Sequence, residues 1–448
     1  MSTGVLFGLL AAIEMAAPDF LGGYRALVFG RLRPSHFNTI IFGFLSMSLI
    51  GAGLHYVPHL CATRLYSDKL ANAAMWLWNL VVLSGIVTFL LGYTSAHEYG
   101  EYIWPIDILA VITLLLLAYV VFRTIARREE PLIYVSIWYF GAALLWTAVT
   151  WAFMGGTGAR YGLNDAVWTW FFGHNIFGLW VTPLALAVAY YVIPREARTP
   201  LYSHTLSLIA FWALITFYSH TGTHHLLQAP VPAWQKVIAS IDSVMLLISV
   251  YAFCANVWLT LRGRLWRVEQ SIALKFVFAG TIWFFIVSTQ GSAQSLMGLQ
   301  RLTHFTNWTV GHAHIGLLGF AGFIASGAIY GILPQVTGKP IYSAALANFQ
   351  YWLMLLGTGG FAIVLTIAGL VQGSAWLNGE ALYRVLPELG VYMVARAVLG
   401  TFVVVAAEIQ LWNVTLTLLG RGPKREPLEP AISLFDQQLV EGQEPEGA

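Results

Sequence analysis

The chain has 448 residues, 58% of them hydrophobic and only 10% charged, whereas soluble domains carry roughly a quarter charged residues, so a water-soluble globule is excluded in favour of a polytopic membrane protein. A formal net charge of +2 offers no electrostatic footprint for nucleic acid, and no such partner is expected. The two cysteines, Cys61 and Cys254, stand far apart and no Cys-x-x-Cys-His occurs, so the chain attaches no c-type heme of its own.

A bilayer core asks for about 20 apolar residues per helix. On that template the chain reads as an all-α fold of about twelve spans, at 4–23, 36–58, 72–95, 104–124, 133–154, 166–193, 203–226, 236–261, 271–297, 309–333, 343–371 and 389–419. The stretch from Val5 to Pro18 lacks a basic lead and a small-residue cleavage site, so it is a retained first helix, not a signal peptide. Residues 1–420 form a single transmembrane domain, and the Pro- and Glu-rich tail 421–448 is expected to be a disordered cytoplasmic extension. Loops after even-numbered spans carry Arg64, Lys69, Arg123, Arg127, Arg128, Arg195, Arg198, Arg262, Arg264, Arg267, Lys275, Lys339, Arg421, Lys424 and Arg425. Those after odd-numbered spans carry only Arg25, Arg31, Arg33, Arg160, Lys236, Arg301 and Arg384. The excess puts both termini in the cytoplasm. The Arg25–Arg33 cluster runs against that rule, and buried anions would account for it.

Ionisable groups inside a membrane are costly and usually functional. Of twelve histidines, six share one depth once the spans are oriented. His36 opens span 2, His174 lies in the outer part of span 6, His224 and His225 close span 7, and His312 and His314 open span 10. Residues two apart on a helix point about 200° apart, so His312 and His314 can serve two metals on opposite sides of one helix. The adjacent His224 and His225 can both reach one ion. Neutral imidazole suits copper and iron. Three histidines from spans 6 and 7 can make a copper site, His36 and His314 can bind a six-coordinate heme, and His312 can bind a five-coordinate one. A lone intramembrane histidine is more often a packing residue, so His55, His59, His97, His204, His220 and His304 are left unassigned.

The stretches Phe29-Gly30-Arg31-Leu32-Arg33-Pro34-Ser35-His36, Thr63-Arg64-Leu65-Tyr66-Ser67-Asp68-Lys69-Leu70, Trp104-Pro105-Ile106-Asp107-Ile108-Leu109, Phe172-Gly173-His174-Asn175, Gly222-Thr223-His224-His225-Leu226 and Asn307-Trp308-Thr309-Val310-Gly311-His312-Ala313-His314 carry a resemblance over nearly the whole chain. It resembles subunit I of the heme–copper oxidases, and most closely the cbb(3)-type cytochrome c oxidases of bacteria. The resemblance implies a catalytic subunit in the bacterial inner membrane, with its metal sites toward the outer face. It would reduce O2 to water with electrons from membrane-anchored c-type cytochromes. It assigns His36 and His314 to low-spin heme b, His312 to the high-spin heme b, and His174, His224 and His225 to copper B. Tyr218, six residues before His224, falls where the family carries a tyrosine covalently joined to the first copper histidine. A phenol there can give a proton and an electron during O–O cleavage, and a packed aromatic is the bland reading. Glu98 and Glu101 resemble acidic positions that hold calcium in the family, a solvated loop being the alternative.

Two departures stand out. Where the family has Glu in a Ser-Thr-Phe-Glu-Gly stretch, this chain reads Ser288-Thr289-Gln290-Gly291, and an expected tyrosine is Phe284. These changes put the usual proton route in doubt. The expectation is a single cytoplasmic path of hydroxyls ending at Tyr218, drawn from Ser203, Ser207, Thr216, Ser243 and Ser288, with weak or no pumping. The alternative function is a nitric oxide reductase with non-heme iron. That site adds a glutamate one turn after the first histidine, and here the turn is His174-Asn175-Ile176-Phe177-Gly178.

Overall fold

The computed structural model describes residues 1–95, 97–156 and 161–423. Arg160, Lys424, Arg425 and the tail beyond residue 423, expected to be disordered, lie outside the described residues. Twelve long helices follow in order among the described residues: α1 (Ser2–Ala16), α2 (Phe29–Leu60), α3 (Asp68–Leu91), α4 (Trp104–Ile125), α5 (Val135–Gly156), α6 (Gly162–Ala197), α7 (His204–Tyr218), α8 (Ala233–Thr260), α9 (Ile272–Gln294), α10 (Asn307–Thr337), α11 (Ala344–Leu377) and α12 (Leu382–Leu418). Ten are long and apolar enough to cross a membrane, and α1 and α7 are shorter.

Several boundaries differ from the sequence expectation, for local reasons. Helix α1 stops at Ala16 because Pro18 follows, and the residue before a proline is steered out of the helical region. Helix α2 begins seven residues before His36 and carries Pro34, so His36 lies two turns inside it. The seventh span breaks after Tyr218, and His224 and His225 sit on a separate tight helical segment, Thr221–Leu226.

A structural repeat organises the bundle. Helices α3, α7 and α11 begin on a Ser (Ser67, Ser203, Ser343) whose side chain accepts from the backbone N–H three residues on, a standard N-cap. The tyrosine before each cap donates its backbone N–H to a threonine on the next helix: Tyr66 to Thr124, Tyr202 to Thr260, Tyr342 to Thr417. Asn256 clamps the Ser203 backbone, and Asn413 the Ser343 backbone, each at both N–H and C=O. The lock recurs at intervals of roughly 140 residues. It makes the chain three sets of four helices, with α2, α6 and α10 equivalent.

Those three helices carry four of the six histidines, and each widens into π-helical turns just beyond them, at Thr39–Leu45, Ile176–Val181 and Ile315–Gly322. Such turns recur at functional sites because they re-aim side chains. They also loosen the carbonyl ladder, and tryptophans help to satisfy the loosened segment. Trp78 donates its indole N–H to Phe42 O at 2.7 Å, and Trp180 donates to Ser46 Oγ at 2.8 Å. Helix α6 is the central element, with 89% of its most apolar window buried. Asp107 of α4 is spoken for structurally, accepting from Trp151 at 2.9 Å.

Candidate metal centre

The six histidines do converge, as two groups around two adjoining cavities. In the first group His174 of α6 faces His224 and His225, and one ligand atom from each lies within 4.8 Å of the others. Ring centroids are 4.5 Å apart for His174–His224 and His224–His225 and 5.5 Å for His174–His225. This is the one cluster of three His, Cys, Asp or Glu side chains able to hold a metal among the described residues.

Hydroxyl neighbours fix the tautomers. Ser243 Oγ already donates to Ala239 O at 2.6 Å, so at 2.8 Å from His224 Nδ1 it must accept. Thr221 Oγ1 donates to Tyr218 O at 2.8 Å and therefore accepts from His174 Nδ1 at 2.9 Å. Both imidazoles are thus Nδ1–H with Nε2 free to ligate, the usual way an outer partner orients a metal-binding histidine. His225 is held by its face, stacked on Trp170 at 3.8 Å and 10°.

Tyr218 lies flat against His174, centroids 4.4 Å apart and planes 24° apart. Gly178 makes room for it. A Cβ at Gly178 would fall 1.8 Å from Tyr218 Cε1, far inside carbon–carbon contact at about 3.5–4.0 Å. Across the same cavity stands His312, with Nδ1 donating to Gln290 Oε1 at 3.0 Å.

The second cavity is lined by His36 and His314. Their rings are nearly parallel, 18° apart, with centroids separated by 6.3 Å. Two imidazoles binding one iron from opposite faces sit at roughly this spacing, since metal–nitrogen bonds are about 2 Å and each ring centre lies about 1 Å further. Each again turns Nδ1–H to a backbone carbonyl: His36 to Gly4 O at 2.7 Å and His314 to Val310 O at 2.8 Å. A Cβ on Gly8 would come within 2.6 Å of the His36 ring, so α1 can pass there only as glycine. The walls therefore fit a bis-imidazole heme, and Thr309, Ala313, Leu317, Tyr99 and His225 line both cavities.

Glu98, in the loop before α4, pairs with Arg33 of α2, and both line the second cavity. Glu101 is buried and accepts from Asn38 at 3.3 Å, and its carboxyl is pushed up to about 8 by burial and by Glu98. A solvated acidic loop is therefore the wrong description of Glu101. His55, His59, His97 and His220 stay out of the cluster, bonding Gln335, His55 O, Asp165 and Ser219. His204 opens α7. His304, unassigned from the sequence, lines the second cavity.

The family model for cytochrome c and quinol oxidase polypeptide I matches residues 1–402. The chain belongs to that family. It is 34% identical to the cbb3-type cytochrome c oxidase subunit CcoN1 of Stutzerimonas stutzeri, covering 83% of this chain and 81% of the relative. It is 32% identical to a cytochrome c oxidase subunit 1 homolog of Agrobacterium tumefaciens, covering 93% and 81%. A nitric oxide reductase subunit of Stutzerimonas stutzeri is more distant, at 23% identity over 91% of this chain and 90% of the relative. A solved heme–copper terminal oxidase dimer shares the fold, with a TM-score of 0.71, 16% identity, and coverage of 96% of this chain and 84% of that one. This oxidase subunit is an integral membrane protein.

Of the expected route hydroxyls, one faces away from the first cavity and one lines it but is bonded to His224. Thr216 is exposed on the outside of α7, because its neighbour Tyr218, two positions on, takes the inward direction. Ser243 serves His224. Phe284 packs with Phe253 and Phe320 at 5.5 and 4.5 Å, an apolar layer on the wall of the first cavity. Trp170 and Thr221 were missed in sequence, since nothing in their spacing announces a ring stacked on, or a hydroxyl bonded to, a histidine from another segment.

Proposed function

We propose that the chain is the catalytic subunit of a terminal cytochrome c oxidase that reduces O2 to water, coupled to protons. His36 and His314 hold a low-spin heme b, His312 holds a high-spin heme b, and His174, His224 and His225 hold copper. When bound, these groups carry electrons and activate O2. The chain's residues orient and protonate. Ser243 and Thr221 lock the copper imidazoles in one tautomer, Gln290 does the same for His312, and Tyr218 presents a phenol proton beside His174.

The observation that carries the reading is Tyr218 lying on His174 over Gly178. A glutamate at position 178, as the reductase reading requires, would start from a Cβ 1.8 Å from that ring. The tyrosine and the extra carboxylate exclude each other. Metal and heme analysis of the purified protein tests the assignment: one copper per two hemes is expected, and extra iron without copper would overturn it in favour of the reductase.

Finer features follow on the same basis. Loop charges support both termini in the cytoplasm of a bacterium, with the histidine end outward. Electrons come from membrane-anchored c-type cytochrome subunits, because this chain has no Cys-x-x-Cys-His. Co-purification with them is expected, and full-rate turnover of the isolated chain with a soluble donor would count against them. A calcium ion would neutralise Glu98 and Glu101. Chelation should then destabilise the native protein but not a Glu101→Gln variant.

A further inference from the structure

Glu408 is an ionisable residue in the middle of a membrane-spanning helix, and the functional assignments above do not use it. It stands on the outward face of α12, exposed among Val405, Leu411 and Trp412. It makes no ion pair and no hydrogen bond among the described residues. The Met1 amino group acts on it electrostatically but stays beyond ion-pair distance.

Its depth excludes a headgroup contact. At the end of α12, Leu418 O accepts from Lys339 and Thr417 Oγ1 accepts from the Tyr342 backbone, so a polar turn marks that edge of the membrane. Glu408 lies nine residues before Thr417, about 14 Å along the helix at 1.5 Å per residue. That is close to half of a hydrocarbon core of about 30 Å. Long Lys and Arg side chains reach the interface from within a membrane; the two methylenes of a glutamate do not span this distance.

The repeat offers an internal comparison. Nine residues before the locking threonine, α4 has Leu115 and α8 has Tyr251. Both are exposed, as Glu408 is. Of the three equivalent helices, α12 alone presents a carboxylate there. Ionisable groups in membrane spans face a bundle interior or a cavity and pair with another polar group. Glu408 faces neither within this chain, so a second polypeptide must supply the interior. At that depth the backbone of such a neighbour has to satisfy its own hydrogen bonds, as a helix does. The exposed residues Val398, Thr401, Val405, Glu408 and Trp412 follow one another at alternating steps of three and four. That is the spacing of a helix–helix seam, in which one polar position sets the register.

We propose that α12 docks a membrane-spanning helix of a partner subunit along this stripe, with Glu408 bonded to a hydroxyl, amide or basic side chain of that helix near mid-membrane. The proposal rests on the reading that the chain works with membrane-anchored partners.

The test uses the purified complex. A photoreactive benzoylphenylalanine replaces Val405 in one preparation and Leu115 in another, and crosslinked products are identified by mass spectrometry. Beside these, Glu408→Gln and Glu408→Leu are washed through rising detergent, and partner polypeptide is measured per heme b. The site at Val405 should crosslink to a spanning helix of a stoichiometric partner, and the site at Leu115 should not give that product. Glu408→Leu should lose the partner several-fold more readily than the native complex, with the reduced heme spectrum and the carbon monoxide spectrum of the high-spin heme unchanged. Glu408→Gln, which still hydrogen-bonds, should fall between. Crosslinking at Val405 to lipid alone or to a second copy of this chain would overturn the proposal, as would the same product from Leu115. So would native partner retention in Glu408→Leu, which would leave the carboxylate to the Met1 amino group. If Glu408→Leu fails to assemble, the Val405 product decides by the same outcomes. A native preparation that holds a single polypeptide would instead remove the reading that partners are membrane-anchored.

Discussion

Gly178→Ala is the sharpest single perturbation of the catalytic proposal, because it adds one carbon and touches no ligand. The new Cβ would lie 1.8, 1.9 and 2.1 Å from Tyr218 Cε1, Cζ and Cδ1. Carbon contacts rest near 3.5–4.0 Å, so the phenol ring must retreat by roughly 1.5–2 Å. Overpacking of this kind costs about 1–3 kcal/mol, which leaves a large buried bundle folded. A misplacement of about 1 Å at a reacting group can cost around 100-fold in rate. The expected result is therefore normal heme and copper content with O2 uptake reduced by about two orders of magnitude. The assay is oxygen consumption with excess reductant, run beside metal analysis of the same preparation. Tyr218→Phe is the companion, losing only the phenol oxygen. If the phenol is the proton donor, the loss should be about 10²–10⁴-fold with metals intact. Unreduced O2 uptake in both variants, with metals in place, would make Tyr218 a packing residue and reopen the oxidase assignment.

Three further outcomes are expected. His36→Ala and His314→Ala should each remove the six-coordinate heme spectrum and leave the high-spin heme, and an unchanged low-spin spectrum in both would withdraw their assignment. Ser243→Ala deletes the acceptor for His224 Nδ1–H; loss of such an outer partner typically weakens metal binding about 10–100-fold, so copper should titrate out at lower chelator concentration while both hemes stay, and unchanged copper retention would count against this tautomer lock. Gln290→Glu places a carboxylate on His312 Nδ1, which should strengthen the imidazole as a donor and raise the iron–histidine stretching frequency of the reduced five-coordinate heme; an unmoved frequency would mean that Gln290 does not bond the proximal imidazole.

The fold class and the histidines were legible because each leaves a long-range mark on the sequence. Apolar runs give spans by length alone, and the common depth of His36, His174, His224, His225, His312 and His314 emerges once alternate spans are inverted. The spacing of His312 and His314 suggested a division of labour, and in the structure His312 lines the first cavity and His314 the second, with Thr309, Ala313 and Leu317 of the same helix lining both. Other features left only local or ambiguous marks. The threefold repeat was present in Tyr66-Ser67, Tyr202-Ser203 and Tyr342-Ser343, but a two-residue cap is too short to stand out until its Thr124, Thr260 and Thr417 partners are seen across the helix pair. Helix periodicity alone did not predict the three π-helical stretches beyond the histidines.

Gln290 shows why a substitution at a site is hard to interpret from sequence alone. Read as a missing proton carrier, the amide is a pure loss. In place, its carbonyl accepts from His312 Nδ1, a job that an amide does without being able to take the proton away. Phe284 and Ser243 are likewise committed, the first to an aromatic layer with Phe253 and Phe320 and the second to His224. Each of these three side chains near the first cavity, all bearing on proton supply when read in sequence, is thus occupied in holding a histidine or a wall. The groups that orient imidazoles and the groups that would ferry protons must then be different residues, and of the hydroxyls in the expected route Tyr218 and Ser288 are the two that line the first cavity and whose side chains are not bonded to a histidine of the three-histidine cluster.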